Sequence, residues 1–416
     1  MLKSRQSLIV ISLLLLALSL RVVAAIVIDR HASSAGRQFL IEGDANGYWE
    51  LAQKIASGQD YSIYTPPRQV LRTPGFPLLL ATSIVLFGKS IFAASMMMAV
   101  VGTGCCWLTW LLARRVTSET VANIALLIVA ISPLQIGSNV QILSETLFSF
   151  GLLACLIPLT KLIPGQDDLT AGNSVVAGFL TGLTTLIRPG WILWPWFSSL
   201  LVVLWSRRSW TRRILYTSLI FAGCYLALLP WAWRNHSATG HWIFTSLWSG
   251  PSLYDGLHPG ATGASDMTFV DTEDVFSTMT EYDANAHYKQ RAFDFAVKNP
   301  GKTIELAFLK AGRYLSPTLN AAGFTGGPAY AVCLTWYTVF LVLVTAGLLA
   351  LRKQLVLIAL LTGPFLQFLA VHMVFVGSIR YRLPVEFPLS IIAAQGLVAM
   401  MARIGVGRTN SQCGLS

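Results

Sequence analysis

Ten apolar runs constrain the fold of this chain more than any other feature. About 20 apolar residues in helical conformation cross the hydrocarbon core of a bilayer. A spanning segment must also satisfy its backbone hydrogen bonds internally, which favours helices. The sequence therefore predicts an all-α polytopic membrane protein. The runs lie near residues 8–28, 91–113, 119–137, 146–163, 173–187, 190–206, 214–233, 329–351, 354–376 and 383–402.

The composition agrees with a membrane protein and argues against a nucleic-acid partner. Hydrophobic residues make up 54% of the chain and charged residues only 12%, against roughly 25% charged residues in a soluble domain. The net charge of +11 comes from short basic clusters at the ends of apolar runs, which is how membrane orientation is encoded. The six cysteines and six histidines form no CxxC pair or recognisable ligand motif.

The basic clusters predict the direction of each span. If the spans alternate from a cytoplasmic N-terminus, both termini are cytoplasmic and the main clusters face the cytoplasm, as the positive-inside rule requires. The first run also resembles a secretory signal with a cleavage site at Val23-Ala-Ala25, but it is long enough to span, so we expect an uncleaved helix. The clusters are Arg114-Arg115, Lys161, Arg207-Arg208, Arg212-Arg213, Arg352-Lys353, Arg403 and Arg408.

An apolar segment from Pro74 to Gly88 is predicted not to cross the membrane. It is short and begins with two prolines, Pro74 and Pro77. If it spanned, Arg114 and Arg115 would lie outside. We therefore predict a juxtamembrane or re-entrant helix. The run at 173–187 is also short, but it is kept as a span. The exact number of spans, between 10 and 12, is left open.

Two long segments then lie on the outer face. Loop 1 comprises residues 29–89, and a second segment, the long loop, comprises residues 234–328. The end of the long loop, Pro300 to Leu315, predicts an amphipathic helix. Its apolar side carries Ile304, Phe308 and Leu315, whereas its basic residues lie elsewhere: Lys302, Lys310 and Arg313.

Six arginines lie on the outer face, where orientation does not require them. Several have a nearby proline that restricts the backbone. Guanidinium groups bind phosphate bidentately, so the set predicts a phosphate site at headgroup depth. The alternative is ordinary snorkelling of each side chain to the membrane surface. The six are Arg68, Arg72, Arg188, Arg234, Arg380 and Arg382.

Three outer carboxylates are candidates for chemistry. Asp44 follows the first span, and its alternative role is that of a turn residue in Asp44-Ala-Asn-Gly47. Glu145 lies at the outer end of the fourth span, where a charge is costly without a partner or a task. Glu386 is four residues after Arg382, so an i,i+4 ion pair is the favoured interpretation of these two.

Several motifs in order along the chain resemble the GT-C superfamily of membrane glycosyltransferases. The relatives that they resemble most are bacterial protein O-mannosyltransferases and the lipid A aminoarabinose transferase. No single motif is specific, but their order and placement together are. They are Gly43-Asp44 with Tyr48, Arg72-Thr-Pro-Gly-Phe-Pro77, Leu86-Phe-Gly88, Leu112-Ala-Arg-Arg115, Ser144-Glu145-Thr146, Leu186-Ile-Arg-Pro189, Leu229-Pro-Trp231, Arg234-Asn235, Gly250-Pro-Ser-Leu-Tyr254-Asp-Gly256 and Arg380-Tyr-Arg-Leu-Pro384.

The resemblance implies a site and a reaction. Asp44 takes the place of the catalytic base, and Glu145 matches a second acidic position that is an Asp in the aminoarabinose transferase. Arg72 stands where that relative has a Lys near the lipid phosphate. Arg68, Arg188, Arg380 and Arg382 join Arg72 as expected phosphate ligands. Tyr48, Arg234 and Tyr254 are expected to shape the site or bind the acceptor.

The implied protein is an inverting glycosyltransferase of a bacterial inner membrane, with its active site on the periplasmic face. Its partners would be a polyprenyl-phosphate-linked sugar, membrane lipids and a lipid, glycan or protein acceptor. No metal ligands are assigned, and a divalent cation stays an open alternative. We expect a catalytic transmembrane module over residues 1–233, the outer-face loop region over 234–328, and C-terminal spans with a short tail over 329–416. A transporter or flippase, or a non-catalytic assembly subunit, is the competing interpretation.

Overall fold

The computed structural model describes residues 2–318 and 327–405, and in these ranges the chain forms α-helices joined by loops. Short 3₁₀ turns join some helices, and no β-strand occurs in these two ranges, which confirms the predicted all-α fold. The predicted basic residue Arg408 and the C-terminal tail from residue 406 lie outside the described residues.

Among the described residues, seven helices are long and apolar enough to span a membrane, and four of them are among the first ten helices. These four are α1, α4, α7 extended by a 3₁₀ turn to Leu162, and α10. Side-chain caps begin several of them; Ser90 and Ser118, for example, accept hydrogen bonds from Ala93 and Val121. The bounds are α1 Leu2–Ser34, α2 Asp44–Ala56, α3 Gly75–Phe87, α4 Ile91–Val116, α5 Glu119–Ile131, α6 Pro133–Ser138, α7 Glu145–Leu159, α8 Ala171–Thr185, α9 Trp194–Trp205 and α10 Trp210–Thr239.

The remaining helices comprise the long loop and three further candidate spans, α16, α17 and α18. Helix α15 matches the predicted helix from Pro300 to Leu315 at both ends. Ile304, Phe308 and Leu315 on it are exposed, whereas Lys310 is buried. The bounds are α11 Ser249–Gly256, α12 Thr268–Thr272, α13 Val275–Thr278, α14 Glu281–Lys298, α15 Pro300–Leu315, α16 Gly327–Ala350, α17 Leu355–Val374 and α18 Leu383–Arg403.

The third predicted span, residues 119–137, is divided between two helices in the structure. Helix α5 ends at Ile131, well before the predicted end at residue 137, because Pro133 begins the separate helix α6. Buried Arg21 of α1 supports this break by donating to Asn139 Oδ1 (2.9 Å) and to the carbonyl oxygens of Val129 (3.2 Å) and Ala130 (3.4 Å). Helix α8 has only 15 residues and falls below the length of the seven candidates.

Helix α3 is too short to be one of the seven candidate spans, as the sequence predicts, and its juxtamembrane placement stays a prediction. It has 13 residues, and its first residue, Gly75, donates to the carbonyl oxygen of Leu186 at the end of α8 (2.8 Å). The turn after α3 leads directly to α4, whose first residues lie beside the end of α1. Helix α3 therefore begins and ends at the same end of the bundle.

The opposite end of the bundle holds the basic residues predicted to face the cytoplasm. Gln166 donates to the carbonyl oxygen of Arg115 (2.7 Å), and Arg208 pairs with Asp168 (3.1 Å). Lys161 pairs with Asp167 at 2.6 Å. These contacts bring together the helix ends to which the alternating directions give one common face. That this face is cytoplasmic stays a prediction, as do the three domain boundaries.

Glycine allows the closest helix pairs to form. Helices α8 and α10 meet where an added Cβ at Gly178 would collide with the carbonyl oxygen of Ile220. Helices α16 and α18 meet in the same way at Gly347, against Ile392. Small residues at contacts between helices are typical of packing inside a membrane. These pairs fix the frame from which the charged side chains of the site project.

Candidate active site

Five charged side chains converge at the end of the bundle where α3 lies. Asp44 and Glu145 are the first residues of α2 and α7, where the helix dipole favours a negative charge. The three cations come from irregular segments: Arg72 precedes α3, Arg188 follows α8, and Arg380 lies in a 3₁₀ turn before α18. Asp44, Arg72, Glu145, Arg188 and Arg380 are called the charge cluster below.

The charge cluster is a continuous chain of contacts. Arg72 Nη2 donates to Asp44 Oδ1 at 2.9 Å, and Arg380 Nη1 donates to Asp44 Oδ2, also at 2.9 Å. Arg380 uses its Nε to bond Glu145 Oε1. Arg188 Nη1 lies 2.9 Å from the same Glu145 oxygen. Three arginines and two carboxylates leave one formal positive charge, so the cluster can accept an anion.

Exposure separates the two carboxylates. The side chain of Glu145 is only 4% exposed, whereas that of Asp44 is 37% exposed. Arg380, which joins them, is 25% exposed. Asp44 is therefore the carboxylate that a bound molecule can reach, and Glu145 is the buried anchor that holds Arg188 and Arg380.

The arginines keep Asp44 ionised. Burial alone would raise the pKa of Asp44, but the positive charges of Arg72 and Arg380 outweigh it and hold the pKa well below its usual range. In return, Asp44 outweighs the effect of burial on Arg72 and raises the pKa of that guanidinium. Within the described residues Arg72 Nε is buried without an acceptor, and the guanidinium reaches Asp44 through Nη2.

Aromatic rings pack against two arginines of the charge cluster, Arg72 and Arg188. The Arg72 guanidinium lies 4.5 Å from the centre of the Tyr48 ring, and Tyr48 packs edge-on against Phe76. Arg188 lies 5.1 Å from the ring of Tyr381, which stacks on His372 at 4.0 Å. Sequence reasoning included Tyr48 but missed Tyr381, although Tyr381 stands inside the motif that supplied Arg380.

The structure places Arg68 and Arg234 apart from the charge cluster; the phosphate role of Arg68 stays a prediction. The Arg68 guanidinium lies 3.8 Å from the centre of the ring of Phe276, a residue of the long loop. Arg234 donates to the carbonyl oxygens of Gln69 (2.6 Å) and Tyr61 (2.9 Å). Arg234 therefore holds the backbone of loop 1, which agrees with its predicted site-shaping role and excludes direct contact with the cluster.

Arg382 is also separate from the charge cluster. Its side chain is 0% exposed, and its Nε donates to Glu386 Oε1 at 2.7 Å. Its Nη1 donates to the carbonyl oxygens of Tyr314 (2.8 Å) and Ser316 (2.6 Å). This confirms the i,i+4 ion pair. The protein itself occupies the Nε and Nη1 donors of Arg382, so the predicted phosphate role of this arginine is untested.

Tyr254 lies in a second core, formed by the long loop itself. Its ring packs against Phe269 and Tyr288, and its hydroxyl accepts a hydrogen bond from Arg291. Tyr254 is buried there, and its predicted role in binding the acceptor or shaping the site stays a prediction. The aromatic side chains of the long loop therefore pack on one another and form a core of their own.

Metal ligands are not grouped in the described ranges. No set of three or more His, Cys, Asp or Glu side chains in residues 2–318 and 327–405 could hold a metal ion. Arg380 bridges the two carboxylates of the charge cluster. A divalent cation at the site stays an untested alternative.

The fold defines a polytopic α-helical membrane protein, with seven helices among the described residues that are long and apolar enough to span. A sequence model of the family described as dolichyl-phosphate-mannose-protein mannosyltransferase matches residues 71–233. This range contains Arg72, Glu145 and Arg188 but not Asp44 or Arg380. Among curated proteins, no sequence matches the chain.

Solved structures share the fold at low sequence identity. The oligosaccharyltransferase of Archaeoglobus fulgidus, tethered to an acceptor peptide containing the NVT sequon, gives a TM-score of 0.58 at 15% identity, over 97% of this chain and 51% of that one. AglB from Archaeoglobus fulgidus, in complex with an inhibitory peptide and a dolichol-phosphate, gives 0.55 at 14% identity, over 98% and 52%. ArnT from Cupriavidus metallidurans, bound to undecaprenyl phosphate, gives 0.46 at 16% identity, over 95% and 79%.

The family-model match and the two oligosaccharyltransferase structures confirm the predicted resemblance to membrane glycosyltransferases, and those two structures confirm the polytopic fold. The chain spans about half the length of the two oligosaccharyltransferases that it matches. At such low identity the structural similarity establishes the fold alone, and the residues of the site determine which reaction is possible.

Proposed function

We propose that the protein is an integral-membrane inverting glycosyltransferase. It moves a sugar from a polyprenyl-phosphate donor to a hydroxyl of a lipid, glycan or protein acceptor. The observation that supports this most strongly is the bridge of Asp44 between Arg72 and Arg380, because it places a reachable carboxylate beside guanidinium groups that can hold a phosphate. The family matched by residues 71–233 is named for dolichyl-phosphate-mannose, a donor of the same class.

The arginines are the expected site for the donor phosphate. A sugar phosphodiester carries one negative charge, which balances the single positive charge of the cluster. Guanidinium groups bind phosphate oxygens with two parallel hydrogen bonds, and the side chain of Arg72, which bonds Asp44 through Nη2, is 17% exposed. AglB, whose fold this chain shares, was solved with a dolichol-phosphate, which supports a lipid phosphate as the ligand here.

The chemistry needs one base and several cations. The acceptor oxygen attacks the anomeric carbon, the bond from that carbon to the phosphate oxygen breaks, and the phosphate leaves with the electron pair. Because a phosphate is already a good leaving group, no general acid is required, unlike in glycoside hydrolysis. Direct displacement inverts the anomeric centre. Preorganised guanidinium groups stabilise the charge that gathers on the departing phosphate.

Asp44 is the proposed base that takes the acceptor proton. While Arg72 and Arg380 both bond its oxygens, its pKa is low and it is a weak base. Donor phosphate would compete for these guanidinium groups and weaken their hold, which raises the basicity of Asp44 when the donor is present. Glu145 keeps its contacts with Arg188 and Arg380 and orients them toward the phosphate.

The proposed location is a bacterial inner membrane, with both termini cytoplasmic and the charge cluster at the outer, periplasmic face. The opposite end of the bundle carries the basic residues near Arg115, Lys161 and Arg208, as the positive-inside rule requires. The informative charges lie at one end rather than near the midplane, which favours an enzyme over a transporter.

Reconstitution with defined donors tests this function. Purified protein is incubated in lipid nanodiscs with radiolabelled sugars on polyprenyl phosphate and with a cell-envelope extract as acceptor. We expect a labelled product whose anomeric configuration is opposite to that of the donor. Movement of the intact donor across a liposome bilayer, without sugar transfer, would instead establish the transporter.

A further inference from the structure

The segment of loop 1 that leads to Arg72 is held by the long loop. Backbone N–H groups of Gln69 and Val70 both donate to Glu281 Oε2, at 2.8 and 3.0 Å. Val70 N also lies 3.1 Å from Glu281 Oε1. On the other side of the segment, the carbonyl oxygen of Val70 accepts from Leu247 N at 2.9 Å. The backbone just before Arg72 is therefore fixed by groups remote in sequence.

Glu281 is well placed to act as this anchor. It is the first residue of α14, and Thr280 caps the helix by accepting from Asp283 N. Burial raises the pKa of Glu281, and the N–H groups of Val70 and Gln69 oppose this effect. Hydrogen bonds to a charged acceptor are stronger than neutral ones, so this carboxylate constrains the loop more than a neutral side chain would.

The constraint passes directly to the charge cluster. Val70 is fully buried, and Tyr61 donates to the carbonyl oxygens of Arg72 (3.1 Å) and Thr73 (3.2 Å). With the backbone fixed before and after it, Arg72 has little freedom except along its side chain, which ends on Asp44.

We infer that Glu281 is a positioning residue for the donor site. By holding the N–H groups of Gln69 and Val70 it sets Arg72 for the donor phosphate, so the long loop forms part of the machinery that binds the donor. This inference rests on the proposed function, since it assigns Arg72 to the phosphate.

A double-mutant cycle on Glu281 and Arg72 tests the inference. The probe is undecaprenyl phosphate without sugar, and its binding to purified protein in nanodiscs is measured by native mass spectrometry. We expect Glu281→Ala to weaken binding about tenfold, as a coupling of about 1.4 kcal/mol would. In the Arg72→Ala background the same change should have less than about a twofold effect, because the positioned side chain is gone.

Two further variants separate positioning from general damage. Asp283→Asn alters the same first turn of α14 without touching loop 1, and it should bind the probe as the wild type does. Glu281→Gln keeps one acceptor oxygen and should recover most of the affinity lost in Glu281→Ala. Independent, multiplicative effects of the two alanine changes, or a glutamine variant as weak as the alanine variant, would overturn the inference. Failure of the wild type to bind the probe would overturn the proposed phosphate site itself.

Discussion

Arg380 and Arg382 are two residues apart in one motif, yet their surroundings differ completely. Arg382 is 0% exposed and bonds Glu386 and two backbone carbonyls. Arg380 is 25% exposed and bridges Asp44 and Glu145. Arg380 lies in the 3₁₀ turn and Arg382 is the residue between that turn and α18. A 3₁₀ turn has three residues, so two residues correspond to about 240° and the two guanidinium groups leave the backbone in different directions. Proximity in sequence therefore does not give two charges the same task.

The difference shows how to separate a structural charge from a chemical one in this fold. Arg382 and Glu386 form an ion pair at the start of α18, and both side chains are buried from solvent. The charge cluster joins residues from five segments of the chain and keeps one carboxylate reachable. Loss of Arg382 should therefore damage folding first, whereas loss of Arg380 should damage the reaction first.

The largest expected effect is on stability, from Arg382→Ala. This change leaves Glu386 buried without its partner, which costs about 3–5 kcal/mol in comparable buried pairs. Denaturant unfolding of the purified protein in detergent measures the change, with Arg380→Ala as the matched control. Equal stability of Arg382→Ala and the wild type would contradict the structural assignment of this arginine.

Arg380→Ala is expected to lower the transfer rate by about 10²–10³-fold, the range seen when one preorganised donor is removed from a charge-stabilising site. The reason is that Arg380 contacts both carboxylates and faces the proposed phosphate. Single-turnover kinetics on folded protein measure the rate. A rate close to that of the wild type would remove Arg380 from the site.

Arg72→Ala should raise the KM for the lipid donor about tenfold or more, since a charged hydrogen bond is worth about 1.5–3 kcal/mol. Arg68→Ala is the control, because this arginine lies on Phe276 and outside the cluster. Loss of that cation–π contact costs about 0.5–1 kcal/mol of stability and should leave the donor KM unchanged. Similar donor KM values for both variants would contradict the assignment of Arg72 to the phosphate.

The smallest expected effect is on the pH profile. The pKa of Asp44 in the donor-free enzyme lies well below its usual range, so Asp44 stays ionised there as the pH falls from 7 toward about 5. We therefore expect no loss of kcat/KM, which reports the free enzyme, over this range. Arg72→Gln removes the largest opposing charge and should raise the pKa of Asp44, which moves the acidic limb of residual activity to higher pH. A limb that does not move would argue against Asp44 as the titrating base.

The sequence predicted the helices well because hydrophobic length is a local property. The run from Pro300 to Leu315 became α15 with the same ends, and the short segment after Pro74 became the separate 13-residue helix α3. The orientation rule also placed Asp44, Glu145, Arg188 and Arg380 at one end of the bundle, where the structure brings them together.

The direction of individual side chains could not be predicted in the same way. Arg68, Arg234 and Arg382 share the predicted face with the cluster, but packing turns each of them toward a ring or a carbonyl of the protein. Tyr381 was missed because nothing in its local sequence shows that its ring lies beneath Arg188. Such details depend on contacts between segments that are remote in sequence.

The most direct test of the account is the transfer rate of Asp44→Asn, measured with a polyprenyl-phosphate-linked sugar that the wild type uses. The amide keeps the size of the side chain but cannot take the acceptor proton. We predict a fall of about 10²–10⁴-fold, the usual contribution of a positioned base, with donor binding retained. Transfer by Asp44→Asn at the wild-type rate would contradict the central claim that Asp44 is the base of a membrane glycosyltransferase.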